Sequence, residues 1–302
     1  MKKDKPSNTA RIVARNIAQV AAADKTGHLV APEAIRLNAA LLKGFSAKGS
    51  HLPESASRLR WRQMLFRFYE RLTIRGLALH QALRKRHIET LVRAALTDEG
   101  FRQVVVIGGG LDTLAGRLCR EFPGVNFLEI DHPATQKMKR ETIEKLDGTG
   151  GNLHFLAVDL TRRTLEECLR KHPAYRADAK TVFVCEGVLM YLSEAQVAEV
   201  FDFIKKQAAP RFIFTFMERG RSGRTDFRNS TVLVRLWLKW KKEPFKWGID
   251  AEEMEGFLSR LGFTQKTLAT AEDFRRIYLE PNGLVGEPLA EGENLCVAET
   301  VC

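Results

Sequence analysis

No run of 18 apolar residues occurs in the chain, so no hydrophobic membrane-spanning helix is indicated. The five cysteines, Cys119, Cys168, Cys185, Cys296 and Cys302, form neither a Cys-x-x-Cys pair nor a Cys/His cluster. Their odd number and scatter argue against a disulfide framework and a zinc site, and reduced, mostly buried thiols with no bound metal are expected. The N-terminal MKKDKPSNTA carries lysines with no apolar run behind them, which argues against a secretory signal and for a cytoplasmic protein. Internal repeats and low-complexity tracts are also absent.

Acidic charge is scarce in one part only. Residues 1–95 hold 19 lysines and arginines against 6 acids, whereas the remainder holds 29 against 31. The net charge of +11 therefore belongs to the N-terminal third. At 302 residues, 44% hydrophobic and 28% charged, the chain has the composition of a soluble globular protein of one large or two small domains.

Residues 10–95 show helical spacing and no convincing strand. Around 58–79, Leu65, Phe68 and Leu72 form an apolar stripe, and Arg60, Arg67, Arg71 and Arg75 line another face of the same expected helix. A further helix is expected over 80–96. From 103 onward the pattern alternates. Strands are expected at 103–107, 126–130, 153–158, 181–185 and 211–217, with helices at 113–122, 133–146, 162–171 and 193–208. Such alternation implies parallel strands joined by right-handed crossovers in a doubly wound α/β sheet. An irregular stretch, 218–248, is rich in Arg, Lys and Trp and reads as an insertion. A helix near 250–261, a stop at Gly262 and a last strand near 294–300 follow. Two regions are expected: a basic helical cap over 1–96 and a core over 97–302.

The stretch 103–118, QVVVIGGGLDTLAGRL, passes from a β-branched strand through three glycines into a helix. Glycine at such a junction permits positive φ and close approach of a ligand to the backbone. Gly108 and Gly110 fit the first two positions of the dinucleotide fingerprint, but Thr113 stands in place of its third glycine. No Tyr-x-x-x-Lys follows either, which disfavours a nicotinamide-dependent reductase. The better description, G-x-G-x-D with Asp112 fifth, is the pattern associated with S-adenosylmethionine.

Three acids fall at the ends of the next strands. Asp131 closes NFLEIDHP, 21 residues beyond Gly110, where a carboxylate accepts from both ribose hydroxyls or else caps the helix opened by Pro133. Asp159, with Leu160, closes LHFLAVDL and suits an adenine amino group or, again, a helix cap. Glu186 follows four apolar strand residues in TVFVCEGVLMYL; a carboxylate there needs a cationic partner, either a ligand ammonium or an arginine. A ligand with adenine, ribose and amino-acid parts would use all of these positions.

The pieces VVVIGGGLDTLAGRL, FLEIDHPATQKMK, AVDL and TVFVCEGVLMYLSEAQVAEVFDFI resemble, in order, the leucine carboxyl methyltransferase family of class I S-adenosylmethionine-dependent methyltransferases. SNTARIVARNIA and EPFKWGI…FLSRLGF resemble it more weakly. The resemblance implies a Rossmann-like, seven-stranded, mostly parallel sheet with an N-terminal helical cap over the site. It further implies S-adenosylmethionine as cofactor and transfer of a methyl to an oxygen, carboxylate or hydroxyl. By the same resemblance Arg84 in LRKRHIE holds the cofactor carboxylate, Gly108 and Gly110 its methionine part, Asp131 the ribose, Asp159 and Leu160 the adenine, and Glu186 the α-ammonium. The family often has an uncharged residue after this arginine, whereas here Arg84-Lys85-Arg86 stand together, so Arg86 competes for the role.

No general base is identified. His132 and His154 lie near strand ends but read as lone surface or core histidines rather than as a base, and Tyr191 either lines the acceptor site or packs in the core. A basic cap would attract an anionic small molecule or peptide. The arginines could equally form a solvated helix face, or lie with Trp61, Phe66 and Phe68 against an anionic membrane surface. Nucleic acid is not expected, since no recognised binding motif is present. A protein that binds the cofactor or an anionic surface without turnover is the alternative to an active enzyme.

Overall fold

The structure, a computed structural model, describes residues 7–45, 73–147, 150–160, 162–219, 225, 227–228 and 245–301. Its centre is a seven-stranded sheet in the order β3-β2-β1-β4-β5-β7-β6. The strands are β1 (Gln103–Ile107), β2 (Asn126–Asp131), β3 (Leu153–Ala157), β4 (Thr181–Cys185), β5 (Arg211–Met217), β6 (Phe263–Ala269) and β7 (Glu293–Thr300). Pairing is parallel from β3 to β5, and β7 runs antiparallel to both β5 and β6.

The central strands are short apolar runs because both of their faces are covered. Along β1, Val104 and Val106 enter one core while Val105 and Ile107 enter the other. The first core also takes Leu83, Ile88 and Val92 from the N-terminal region. The second is filled by Phe183, Phe201, Phe212 and Phe214, with Phe201 edge-on to its neighbours at centroid distances of 5.1–5.6 Å.

Helices α1 (Asn8–Ala21), α2 (Pro32–Phe45) and α3 (Leu77–Asp98) precede the sheet. Ser7 caps α1, its hydroxyl accepting from Ala10 N at 3.2 Å, and Ser7 N donates to the Thr135 hydroxyl at 3.1 Å. Asn16 bonds Gln81, and Asn38 bonds Ala14 O, so polar pairs inside the interfaces fix the three helices to one another. Between the strands lie α4 (Leu114–Glu121), α5 (Pro133–Asp147), α6 (Leu165–Leu169) and α7 (Glu194–Lys205), and α8 (Met254–Leu261) precedes β6.

Three expectations change. The boundary expected at 79/80 falls instead at Gly76, whose φ of 77° ends the preceding turn before α3 begins. Helix 162–171 contracts to Leu165–Leu169 because Thr164 supplies a capping box with Glu167. A strand missing from the alternating pattern, β6, forms at the sheet edge, where FTQKTLA is largely exposed and interrupted by a register shift between Gln265 and Thr267. The arginine and aromatic stripes of 58–72 lie outside the described residues, as does most of the 218–248 insertion. Among the described residues no helix is long and apolar enough to cross a membrane, and the four described cysteines are buried and free.

Candidate functional site

The strand order reverses between β2-β1 and β1-β4, which opens a crevice at the carboxyl ends of β1 and β4. A cavity of about 780 Å³ occupies it. The residues assigned to cofactor or acceptor line that one space: Arg84, Gly108, Gly110, Asp131, Asp159, Leu160, Glu186 and Tyr191. His132 lines it too, whereas His154 does not and packs on His172 with ring centroids 5.7 Å apart.

The glycine turn shapes the wall beside β1. Gly108 and Gly110 have φ of 70° and 50°, a region costly for residues with a Cβ. A Cβ at Gly108 would lie 2.4 Å from Val188 Cγ2, and one at Gly110 would lie 3.2 Å from Ala10 on α1. The first helix thus reaches over the turn. Beneath it, the Gly108 and Gly109 amides both donate to Ile130 O, tying the turn to β2.

Asp131 reaches across to this turn. One carboxylate oxygen accepts from Gly110 N at 2.5 Å and the other from His132 N at 2.6 Å. The helix-cap alternative is not realised, since α5 uses the His132 ring, which accepts from Ala134 N. Burial pushes the Asp131 carboxyl above its usual range, with these two amides working against it. Asp159 does not cap α6 either, a task taken by Thr164; it pairs with Arg162 at 3.6 Å.

Glu186 is the centre of a chain of charges. Its Oε1 accepts from Arg84 Nε at 2.9 Å and lies 2.7 Å from Nη2, and its Oε2 accepts from Lys85 at 2.8 Å. Lys85 also donates to Asp112 Oδ2 at 2.6 Å, while Asp112 Oδ1 accepts from Leu114 N at the start of α4. Arg84 Nη1 completes the chain on Glu293. The protein-cation partner weighed for Glu186 is therefore present, and it comes from two adjacent residues of α3. Burial works against the charge on Lys85, but Asp112 and Glu186 outweigh it and raise its pKa. Burial likewise opposes ionisation of Asp112, yet Lys85 holds that carboxyl far below its usual range. Both groups stay charged across the physiological range.

Arg86 takes no part in this chain. Its guanidinium donates to Leu29 O at 3.2 Å and sits 5.5 Å from the Tyr278 ring centroid. Tyr191 packs on Phe245 with ring centroids 5.5 Å apart, beside Lys246, which also lines the cavity.

Four residues of this site escaped the sequence reading. Lys85 was visible only as an unexpected charge. Glu293 opens the antiparallel strand β7, so its position opposite Met217 at the carboxyl end of β5 depends on a pairing that no local pattern announces. Glu129 and Lys139 form a buried pair under Gly109, and an acid in the middle of the apolar strand NFLEID was the signal that such a partner exists.

The sequence profile of the family described as "Leucine carboxyl methyltransferase" matches residues 42–205. A candidate S-adenosyl-L-methionine-dependent methyltransferase of Mycobacteroides abscessus is 26% identical over 206 residues, covering 62% of this chain and 67% of that protein. A relative of the same description from Bacillus subtilis is 30% identical over 112 residues, 37% of this chain and 36% of its own length. One from Mycobacterium tuberculosis is 36% identical over 115 residues, so the match spans 38% of this chain and only 32% of that relative. In fold, the chain is similar to a candidate methyltransferase from Thermobifida fusca (TM-score 0.57, 15% identity, 88% of this chain and 94% of that one). It is also similar to a DUF574-family protein from Streptomyces avermitilis (TM-score 0.58, 11% identity, 90% and 98%). The profile match covers more than half of the sequence. The chain belongs to the leucine carboxyl methyltransferase family, with the class I fold of S-adenosylmethionine-dependent methyltransferases.

Proposed function

We propose that this chain transfers a methyl group from S-adenosylmethionine to an oxygen, carboxylate or hydroxyl, of an anionic small molecule or peptide. The observation that carries this reading is the convergence of the glycine turn and the acids Asp131, Asp159 and Glu186 on one cavity at the switch point of the sheet. Its volume, about 780 Å³, suits a ligand of nucleoside-plus-amino-acid size. The donors and acceptors also fit the parts of that cofactor. The Asp131 oxygens each have a lone pair left for a ribose hydroxyl, Asp159 and Leu160 offer an acceptor and an apolar edge for adenine, and charges of both signs stand near Glu186.

When bound, S-adenosylmethionine supplies an electrophilic methyl on a sulfonium. The protein's part is alignment, which is worth roughly 7–11 kcal/mol of barrier where the fit is good. A carboxylate acceptor is ionised at neutral pH and asks for no general base, whereas a hydroxyl acceptor would benefit from one. Lys246, beside Tyr191, gives the cavity lining a cation that suits an anionic acceptor.

Calorimetry with S-adenosylmethionine tests the first half of the reading: wild type binds and Asp131→Ala loses most of that affinity. Transfer of labelled methyl to cell extract tests the second. Label on oxygen is expected, base-labile for an ester and base-stable for an ether; label on nitrogen or carbon alone rules the oxygen acceptor out.

A further inference from the structure

The charges around Glu186 form a linear series, Asp112, Lys85, Glu186, Arg84, Glu293, alternating in sign. Its outer links are firmly placed. Asp112 is fixed to the start of α4 by the Leu114 amide, and Arg84, with only 4% of its side chain exposed, is bonded through all three guanidinium nitrogens. Of the two inner links, Lys85 to Glu186 is the looser. Lys85 is 22% exposed, carries its ammonium on a flexible four-carbon stem, and lines the cavity as Glu186 does. If this link opens, neither member is stranded, because Lys85 keeps Asp112 and Glu186 keeps Arg84. The Glu186–Arg84 link shares that property, but it is made by two nitrogens of a guanidinium that is almost wholly enclosed, so the Lys85 link is the one free to open.

We infer that the Lys85–Glu186 pair is a clasp for a zwitterionic amino-acid group, with Lys85 taking the ligand α-carboxylate and Glu186 its α-ammonium. The inference rests on the cavity being the S-adenosylmethionine site, and it transfers the carboxylate-holding role from Arg84 to Lys85. Inserting a zwitterion between the two members preserves the alternation of charge along the whole series. Three donors belong to an ammonium, and Lys85 spends one on Asp112, so those it would turn to the ligand are the donor now on Glu186 and the third. The opposite arrangement, a ligand ammonium added beside an unmoved Lys85, would set two cations on one carboxylate oxygen. Arg84 then acts as a positioning residue that holds Glu186 in place while Lys85 swings.

The test compares two ligands on three proteins by calorimetry. S-adenosylhomocysteine carries the zwitterionic group, and 5′-methylthioadenosine is the same nucleoside thioether without it. Lys85→Met is expected to weaken S-adenosylhomocysteine about 10- to 100-fold, the worth of a charge-assisted contact, while leaving methylthioadenosine within about 3-fold. Lys85→Arg should recover most of the loss. Tighter or unchanged S-adenosylhomocysteine binding to Lys85→Met overturns the clasp and makes Lys85 a plug on Glu186. A parallel loss of both ligands overturns it too, since the lysine would then act on the fold as a whole. If wild type binds neither ligand, the cofactor site itself is wrongly placed, a result distinct from the other two.

Discussion

Glu129 on β2 and Lys139 on α5 face each other at 2.6 Å, almost wholly shut off from solvent, directly beneath Gly109. A Cβ at Gly109 would lie 2.5 Å from Glu129 Cδ, and Lys139 Nζ is 3.5 Å from Gly109 O. The pair is therefore the floor of the glycine turn. Burial lifts the Glu129 carboxyl to about 7 against the pull of Lys139. Removing one partner leaves an unpaired buried group, so Lys139→Met should cost about 3–5 kcal/mol in urea denaturation. The double replacement Glu129→Leu with Lys139→Met should recover most of that stability. Ligand affinity in the double variant reads the support given to the turn separately from the support given to the fold.

Two glycines with nearly equal φ give a contrast of another kind. Gly108 (φ 70°) has Val188 Cγ2 within 2.4 Å of where a Cβ would stand, whereas Gly100 (φ 73°) has nothing within 4 Å. Gly100→Ala should cost about 1–2 kcal/mol, the strain of left-handed backbone alone. Gly108→Ala carries that strain plus displacement of Val188 from the cavity wall. Its stability loss should be the larger, and S-adenosylhomocysteine binding should fall at least about tenfold, a difference of about 1.4 kcal/mol. Equal behaviour of the two variants in thermal melts and titrations would show that the Val188 contact is immaterial.

These residues also show which parts of the molecule the sequence disclosed. β1 and β4 were legible because a strand buried on both faces must be an uninterrupted apolar run, and QVVVI and TVFVC are such runs. Glu186 at the tip of β4 was legible because a charge ending an apolar strand needs a partner. β6 was not, since TQKT faces solvent at the sheet edge and carries no pattern that packing would impose. The full strand count came from resemblance to a family. The ion-pair series was illegible for a different reason. It joins α3, the turn after β1, the end of β4 and the start of β7, segments up to 209 positions apart from Arg84 to Glu293, and only tertiary folding brings them together.

Adjacent residues of α3 should respond differently to loss of charge. Arg84 is enclosed between Glu186 and Glu293, and burial pushes the Glu293 carboxyl upward with Arg84 opposing it. Arg84→Met would leave two carboxylates in a dry site with one cation among them, and about 3–5 kcal/mol of stability should be lost. Lys85→Met removes a more exposed partner from Asp112 and Glu186, which retain the Leu114 amide and Arg84. Its loss should be smaller. Urea midpoints of the two variants at one pH decide the order, and a larger loss for Lys85→Met would contradict the series as drawn.

One turn before Arg84 on the same helix, His80 is fully buried with its ring 5.4 Å from Phe274. Burial, with the Arg84 guanidinium adding to it, lowers the His80 pKa to about 3. The unfolded chain binds this proton near pH 6.5, whereas the folded chain refuses it until about pH 3. Between those values the unfolded state holds more protons, so stability rises with pH through the window and falls as the solution is acidified. The slope from this one group is at most about 1.4 kcal/mol per pH unit. Glu129 contributes with the opposite sign between its ordinary value of 4.5 and about 7, because there the folded state holds the extra proton. The two effects separate in a difference measurement. The stability of wild type minus that of His80→Leu, from urea unfolding at pH 4 to 8, should climb from pH 4 to about 6.5 and then level off, with the Glu129 contribution cancelling. A difference that stays flat across this range would mean that His80 takes up its proton in the folded protein as readily as in the unfolded chain.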